Sequence, residues 1–321
     1  MTNEKTAGPT PDSRSRKTVV RPGDRVFSGS ARGAGIFILA MLAAVSAFLL
    51  LEGYPALVAD PAEIGLLDGD TFAQWVVPLV FGTLWAAFIA LLFAFPLAIG
   101  IALFISHYAP RRIAQPLGYI VDLLAAVPSV VYGLWGGTVL APALQPSYTW
   151  LADNLSFIPF FAGPASGTGR TILTAAIVLA VMVLPIITAV SREVFLQTPV
   201  LYEEASLALG STRWEMIRDV VLPVGRGGLI SAAMLGLGRA LGETLAVAMV
   251  LSATGVITVN LISSVNPSTI AANVALSFPE AYGLNVNALI ASGLILFAIT
   301  LIVNSIARWI IERRAEFSGA N

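Results

Sequence analysis

An arginine and a glutamate four residues apart interrupt a run of apolar and small residues between Gly236 and Leu251. Arg239 carries a planar guanidinium, which can bind a tetrahedral oxyanion through two parallel N–H hydrogen bonds. On a continuous helix Glu243 would share its face and could hold the guanidinium while no anion is bound. The pair therefore either handles an anion or forms a structural ion pair, which adds little stability over apolar packing.

The elements around this pair are those of a membrane protein. Of the 321 residues, 57% are hydrophobic and 12% are charged, with a mean hydropathy of +0.83, whereas a soluble domain is about one quarter charged. Six apolar runs are long enough for the roughly 20 helical residues that cross a bilayer. They lie near residues 34–51, 76–105, 120–143, 171–190, 229–251 and 286–307. The predicted fold class is all-α, a polytopic membrane protein with six transmembrane helices.

The fifth run determines where Arg239 lies relative to the bilayer. A continuous helix over 229–251 would be roughly 34 Å long, with Arg239 about 15 Å from one end and thus near the midplane. A charge at that depth is costly, so it normally faces a bundle interior or a water-filled path. Gly238 and Gly242 have the spacing of a helix-contact face, and the segment Gly133–Gly137 repeats it.

The basic residues predict the orientation of the chain. All but two of the 18 lysines and arginines lie in residues 1–33, 106–119, 191–228 and 308–321; the exceptions are Arg170 and Arg239. By the positive-inside rule, these four segments and both termini are cytoplasmic. Residues 1–33 are predicted to be a disordered basic cytoplasmic tail, followed by a first transmembrane helix at 34–51, and residues 310–321 a second cytoplasmic tail.

The segment between the fourth and fifth runs has the pattern of two short helices. Thr198 can cap the first helix, and Gly210 can end it in a left-handed conformation. Thr212 and Glu215 form a capping box for the second helix, which Pro223 is expected to stop. The pattern alone also fits an amphipathic hairpin at the membrane surface.

Residue spacing in this segment resembles the E-A-A-x3-G-x9-I-x-L-P signature of ABC importer permeases. Ser206 stands for the second alanine of the signature and Val220 for its isoleucine. In that family the segment is a coupling helix that contacts a cytoplasmic ATPase. The resemblance implies a coupling role here, within residues 198–223, for Glu204, Ala205, Ser206, Gly210, Leu222 and Pro223.

Three further stretches are similar to the permease subunits of phosphate-specific ABC importers. They are GLGRALGET at 236–244, AAVPSVVYGLWG at 125–136 and IVNSIARW at 302–309. The resemblance covers a permease core over residues 75–309 and implies a MetI-like bundle. It places Arg239 and Glu243 in the substrate pathway, and Pro128, Ser129 and Tyr132 either line that pathway or form a packed kink.

The same resemblance implies a set of partners. These are membrane lipid, a second permease subunit of the same system or a second copy of this chain, a cytoplasmic ATPase dimer, and an external binding protein that delivers inorganic phosphate. Two alternatives stay open, a permease for another oxyanion and an ATP-independent secondary transporter or channel. A purely structural subunit is a third.

Several kinds of chemistry are excluded by residue types. The chain has no cysteine, and its only lysines are Lys5 and Lys17, so it contains no Walker A loop; if transport is active, ATP hydrolysis must occur on another subunit. His107 is the single histidine, for which a capping or interfacial role is expected. We therefore expect no enzyme activity, no catalytic residue, no metal or other cofactor and no nucleic-acid partner.

Overall fold

The computed structural model of the chain describes residues 22–317, which contain twelve α-helices and no strand. In chain order these are α1 (Pro22–Val58), α2 (Phe72–Leu103), α3 (Arg111–Ala125), α4 (Ser129–Trp135), α5 (Ala141–Asn154), α6 (Ile172–Leu196), α7 (Val200–Ala208), α8 (Arg213–Met216), α9 (Leu222–Gly242), α10 (Leu245–Val250), α11 (Ile270–Ser277) and α12 (Leu284–Phe317). π-helical turns follow α2, α4 and α8, at Phe104–Tyr108, Gly136–Leu140 and Ile217–Val221.

The chain divides into two compact units within α1, after Phe48. In the first unit the apolar side chains of α1, such as Phe37 and Phe48, are exposed within the chain, as lipid-facing side chains are. Because α1 begins at Pro22, the predicted disorder of residues 22–33 is wrong, while residues 1–21 lie outside the described residues. At the other terminus α12 continues to Phe317, so the predicted tail is helical up to that residue.

Five helical segments between residues 22 and 317 are long and apolar enough to cross a membrane: Val26–Val58, Phe72–Tyr108, Ile172–Leu196, Arg213–Gly242 and Leu284–Ile310. A sixth is obtained if α3 and the helix over Ser129–Asn154 are counted as one span, although they are bent by 87°. The third predicted span, over 120–143, is therefore broken, and its two helical parts extend beyond the predicted bounds at both ends. Pro128 lacks an N–H group and disfavours a helical conformation at the residue before it, which explains the bend.

The core of the second unit is built on a face of α2 with alanine at every fourth position. These alanines, Ala86, Ala90, Ala94 and Ala98, are all buried and pack in one cluster with Val178, Leu179 and Val183 of α6. Small side chains let two helix backbones approach closely, and van der Waals packing of this kind stabilises helix pairs in lipid. Helix α6 also packs against α9, so it fixes the position of the helix that carries Arg239.

An irregular segment joins α10 to α11 and is held by one buried amide. Asn266 is fully buried, and its Oδ1 accepts the backbone N–H of Ile172 at 3.1 Å. Its Nδ2 donates to the carbonyl oxygens of Ser252 and Ser263 at 3.1 and 2.9 Å. Non-helical backbone inside a membrane protein requires such internal partners, because lipid offers none.

The predicted fifth span is not continuous, and its boundaries differ at both ends. The helix runs from Arg213 to Gly242 through the π-helical turn, so Pro223 does not stop it. The N–H of Leu222 bonds to the carbonyl of Ile217 five residues back, and Pro223 follows in the first turn of α9, where its missing N–H is tolerated. At Glu243 the backbone is extended, and α10 is a separate helix that begins at Leu245.

This break changes the setting of Arg239. The residue lies in the last turn of α9 and not in the middle of a continuous helix. The helix-length estimate that placed it near the bilayer midplane therefore does not apply. The last turn is the negative end of the helix dipole, which favours a cationic residue there.

Candidate functional site

Arg239 lines an open groove formed by α6, α9 and α12. The groove has a volume of about 550 Å3 and is lined by Ile186, Ser231, Met234, Leu235, Gly238, Arg239 and Asn304. The Nε atom of Arg239 is buried and has no hydrogen-bond partner within the described chain. A buried donor without an acceptor is unfavourable, so an anion that entered the groove would satisfy it.

Helix periodicity assembles the wall on which Arg239 lies. Ser231, Leu235 and Arg239 follow at intervals of four residues and share one face of α9. A Cβ at Gly238 would have no atom within 4 Å, so the groove stays wide beside the guanidinium. Ser231 and Asn304 were not predicted; a polar residue inside each apolar run is the signal that indicates them.

Glu243 does not pair with Arg239. Its side chain is 8% exposed, and its Oε1 accepts the N–H of Ala246 at 3.2 Å, which satisfies a donor in the first turn of α10. Among the side chains that the structure describes, the ion pairs found are His107–Glu203 and Arg218–Asp219. The predicted ion pair is wrong for this structure because the helix ends at Gly242, so the geometry of four-residue spacing does not apply.

The glycines near the groove fall into two kinds. A Cβ on Gly236 would lie 2.6 Å from Cδ1 of Ile187, so this glycine allows α9 to approach α6. A Cβ on Gly136 would lie 2.5 Å from a methyl group of α6, which supports the predicted contact face in 133–137. Gly238 and Gly242 have open space instead, so the contact predicted for them is not made within this chain.

Pro128, Ser129 and Tyr132 lie at the bend of the broken span. Pro128 precedes α4, which begins at Ser129. The hydroxyl of Tyr132 donates to the carbonyl of Leu124 at 3.1 Å, across the bend. None of the three lines the Arg239 groove; Tyr132 packs against the buried core, whereas Pro128 is exposed.

Residues 198–223 contain the two predicted short helices and the turn between them. Helix α7 begins at Val200 with Pro199 as its N-cap, so the predicted cap by Thr198 is wrong; the hydroxyl of Thr198 is buried without a partner in the described chain. Gly210 has a φ of +89°, which confirms the predicted left-handed turn.

Two side-chain networks fix this turn. The hydroxyl of Thr212 accepts the N–H of Glu215 at 3.3 Å, and the Glu215 carboxylate accepts the N–H of Thr212 at 2.7 Å, so the predicted capping box is confirmed. The hydroxyl of Ser211 donates to the carbonyl of Ser206 at 2.6 Å, and the two hydroxyl oxygens are 2.7 Å apart. Ser206, where the chain departs from the family signature, thus anchors the turn.

Helix α7 and the turn after it present an exposed apolar surface. Leu201 is 71% exposed and Leu209 90%, and the side chains of Glu204 and Ala205 are exposed beside them. Leu222 and the adjoining proline are half-buried at the start of α9. Exposed apolar patches of this kind contact another protein or a membrane.

One ionisable pair connects α7 to the end of α2. The Nε2 of His107 lies 3.4 Å from Oε1 of Glu203, and its Nδ1 lies 2.7 Å from the hydroxyl of Ser106. The partner Glu203 was not predicted, because the contact joins residues 96 positions apart and depends on tertiary structure. Among the side chains that the structure describes, no three from histidine, aspartate or glutamate form a group that could hold a metal ion.

Sequence comparison relates the chain to membrane transport proteins. The family model described as binding-protein-dependent transport system inner membrane component matches residues 94–316. The phosphate transport system permease protein PstC 2 of Mycobacterium tuberculosis is 44% identical over 298 residues, which cover 90% of this chain and 91% of that protein. The phosphate transport system permease protein PstC of Mesorhizobium japonicum is 38% identical over 308 residues, covering 92% of both.

Solved structures of ABC transporters share the fold. A chain of a bacterial ABC transporter involved in the import of the acidic polysaccharide alginate superimposes with a TM-score of 0.54 at 15% identity, covering 90% of this chain and 99% of its own. A chain of the MetNI methionine ABC transporter in an inward-facing conformation gives a TM-score of 0.52 at 16% identity, covering 80% and 99%. The predicted all-α ABC permease bundle is confirmed.

Proposed function

The chain belongs to the family of binding-protein-dependent transport system inner membrane components, and on that premise we propose that it is a permease subunit of an ATP-driven importer of inorganic phosphate. One observation supports phosphate binding at a particular residue. Arg239 lines an open groove, and its Nε is buried without a hydrogen-bond partner in the described chain. The permeases that are 38–44% identical are named for phosphate transport, which favours phosphate over another oxyanion.

Phosphate suits the chemistry of this groove. Its oxygens can accept two parallel N–H bonds from one guanidinium, and the hydroxyl of Ser231 and the amide of Asn304 line the same groove. The break between α9 and α10 lies beside Arg239, and interrupted helices frame substrate sites in many transporters. Glu243 caps Ala246 in this structure; during transport it competes with phosphate for the guanidinium when the break rearranges, so that the anion is not trapped.

A second permease subunit completes the pathway. The open space at Gly238 and Gly242 lies along α9, where another helix can approach closely. The partner is a subunit of the PstA type or a second copy of this chain. An external binding protein delivers phosphate to the side opposite residues 198–223, the coupling segment. Membrane lipid surrounds the exposed apolar helices.

Residues 198–223 dock a cytoplasmic ATPase dimer. The exposed surface of α7, with Glu204 and Ala205, supplies the contact, and Ser206 and Gly210 hold its shape. The helix runs without interruption from Arg213 through Leu222 and Pro223 to Gly242. Movement of the docked segment therefore reaches Arg239 along one rigid element, which couples ATP hydrolysis to the groove.

Topology and transport test this function separately. The chain has no cysteine, so single cysteines at Ala205 and Gly65 can be labelled without a background. With both termini cytoplasmic, an impermeant maleimide added to intact cells labels Gly65→Cys and leaves Ala205→Cys unlabelled; the reverse pattern contradicts the orientation.

The decisive assay is uptake of radiolabelled phosphate by proteoliposomes that contain the complex purified with its partners. Uptake should require ATP and the external binding protein, and excess sulfate should not compete. Uptake by the chain alone without ATP would identify a secondary transporter or channel. Uptake of sulfate in preference to phosphate would identify a permease for another oxyanion.

A further inference from the structure

A second pocket, separate from the Arg239 groove, lies where α3 and the end of α2 meet the end of α6. It has a volume of about 600 Å3 and contains several polar or charged side chains. Those that matter here are Arg111, Gln115, Tyr119, Asp122 and Arg192. Neither the fold nor phosphate transport through the groove gives this pocket a role.

Arg192 is held at this pocket by a glycine. A Cβ on Gly118 would lie only 1.9 Å from Nη1 of Arg192, so the guanidinium lies against α3 where only glycine leaves room. Its Nε is buried and has no hydrogen-bond partner in the described chain. Asp122 does not neutralise it, since neither ion pair found among the described side chains involves Asp122 or Arg192. The pocket therefore contains a fixed cation with unused donors.

Other donors surround Arg192. Arg111 brings a second guanidinium, and Gln115 and Tyr119 bring an amide and a hydroxyl group. Helix α3 begins at Arg111, and its N-cap residue Pro110 has no side chain that could accept the N–H groups of the first turn. Two arginines with several neutral donors form a site for a phosphate group.

We propose that this pocket binds the phosphate group of an anionic phospholipid from the surrounding membrane. Helix α3 is amphipathic: Ile113, Ile120 and Leu123 are 51–70% exposed, while Arg111 and Gln115 line the pocket. A helix with this pattern lies in the membrane interface, where acyl chains cover its apolar face and headgroups reach its polar residues. A phospholipid bound in the pocket thus holds the bend between α3 and α4 at the membrane surface. Free inorganic phosphate has the same chemistry and is distinguished by experiment.

The first test measures retained lipid by native mass spectrometry on the complex purified with its partners and titrated with phosphatidylglycerol. Arg192→Gln and Arg111→Gln should each weaken binding about tenfold to hundredfold, because each removes a charged hydrogen-bond donor. Gly118→Ala keeps all charges but displaces the guanidinium, and should weaken binding as well. Arg226→Gln, on the exposed surface of α9 and outside the pocket, is the matched control and should bind as wild type does.

Unchanged phosphatidylglycerol binding in Arg192→Gln and Arg111→Gln overturns the lipid site. If Arg192→Gln does not assemble, Arg111→Gln decides, because Arg111 is exposed and its removal leaves no cavity. The second test measures binding of radiolabelled inorganic phosphate to delipidated complex in an Arg239→Gln background, which removes the groove. If Arg192→Gln abolishes phosphate binding but leaves lipid retention unchanged, the pocket binds free phosphate, and the proposed lipid site is contradicted.

Discussion

Gly210 offers a test of the coupling segment in which the cost of substitution can be calculated from the backbone alone. Its φ is +89°, and a Cβ placed there would have no atom within 4 Å. A side chain therefore meets no neighbour, and only the left-handed backbone opposes it. For valine that cost is about 1–3 kcal/mol, which reduces the population of the docking turn about 5- to 150-fold. Asparagine tolerates this conformation and should cost less.

The assay is retention of the ATPase during purification, together with ATP-driven phosphate uptake, at equal amounts of the chain in the membrane. Gly283→Val is the matched control, because Gly283 also has positive φ and open space but lies before α12, away from the coupling segment. Retention and uptake should fall in the order wild type, Gly210→Asn, Gly210→Val, and Gly283→Val should retain the ATPase. Wild-type retention and uptake in Gly210→Val would refute the docking role of the turn.

Three further substitutions test the contact surface and the packing. Glu204→Lys reverses an exposed charge on α7 and should lower ATPase retention without lowering membrane abundance. Asn266→Ala strands a backbone donor and two acceptors and should cost several kcal/mol, about 1–3 for each group, seen as a lower Tm of the complex. Gly236→Ala places a Cβ 2.6 Å from Ile187, and this overpacking should cost about 1–3 kcal/mol and lower the Tm. Gly242→Ala, which has open space, should not lower it. Equal Tm values for the two variants would contradict this packing.

Local signals in the sequence predicted the turn and the capping box within residues 198–223, because they act over a few residues. The left-handed turn needs only Gly210, and the capping box needs only Thr212 and Glu215. Prolines were less informative. Pro128 bends the chain by 87°, whereas Pro223 lies within the first turn of a helix that continues from a π-helical turn. The sequence cannot distinguish these cases, because the outcome depends on the hydrogen bonds of the preceding turn.

The candidate site was predictable in its central residue and not in its geometry. An arginine inside an apolar run is costly wherever the helix ends, so Arg239 could be proposed as a functional residue from the sequence alone. The helix break at Glu243 has no comparable local signal, apart from the glycines that weaken the helix around it. The groove depends on the packing of α6 and α12 against α9, which brings Asn304 to residues more than sixty positions earlier in the chain.

Uptake of phosphate by the Arg239→Gln variant tests the central claim most directly. It should be measured as ATP-driven uptake of radiolabelled phosphate at equal amounts of assembled complex, beside Arg239→Lys and Glu243→Gln. Loss of the charged donors should reduce uptake about tenfold or more in Arg239→Gln, and lysine should restore only part of it because a point charge lacks the planar fork. Glu243→Gln should also impair uptake, although glutamine can still accept the N–H of Ala246. Wild-type uptake by Arg239→Gln would contradict the account and leave Arg239 with a structural role only.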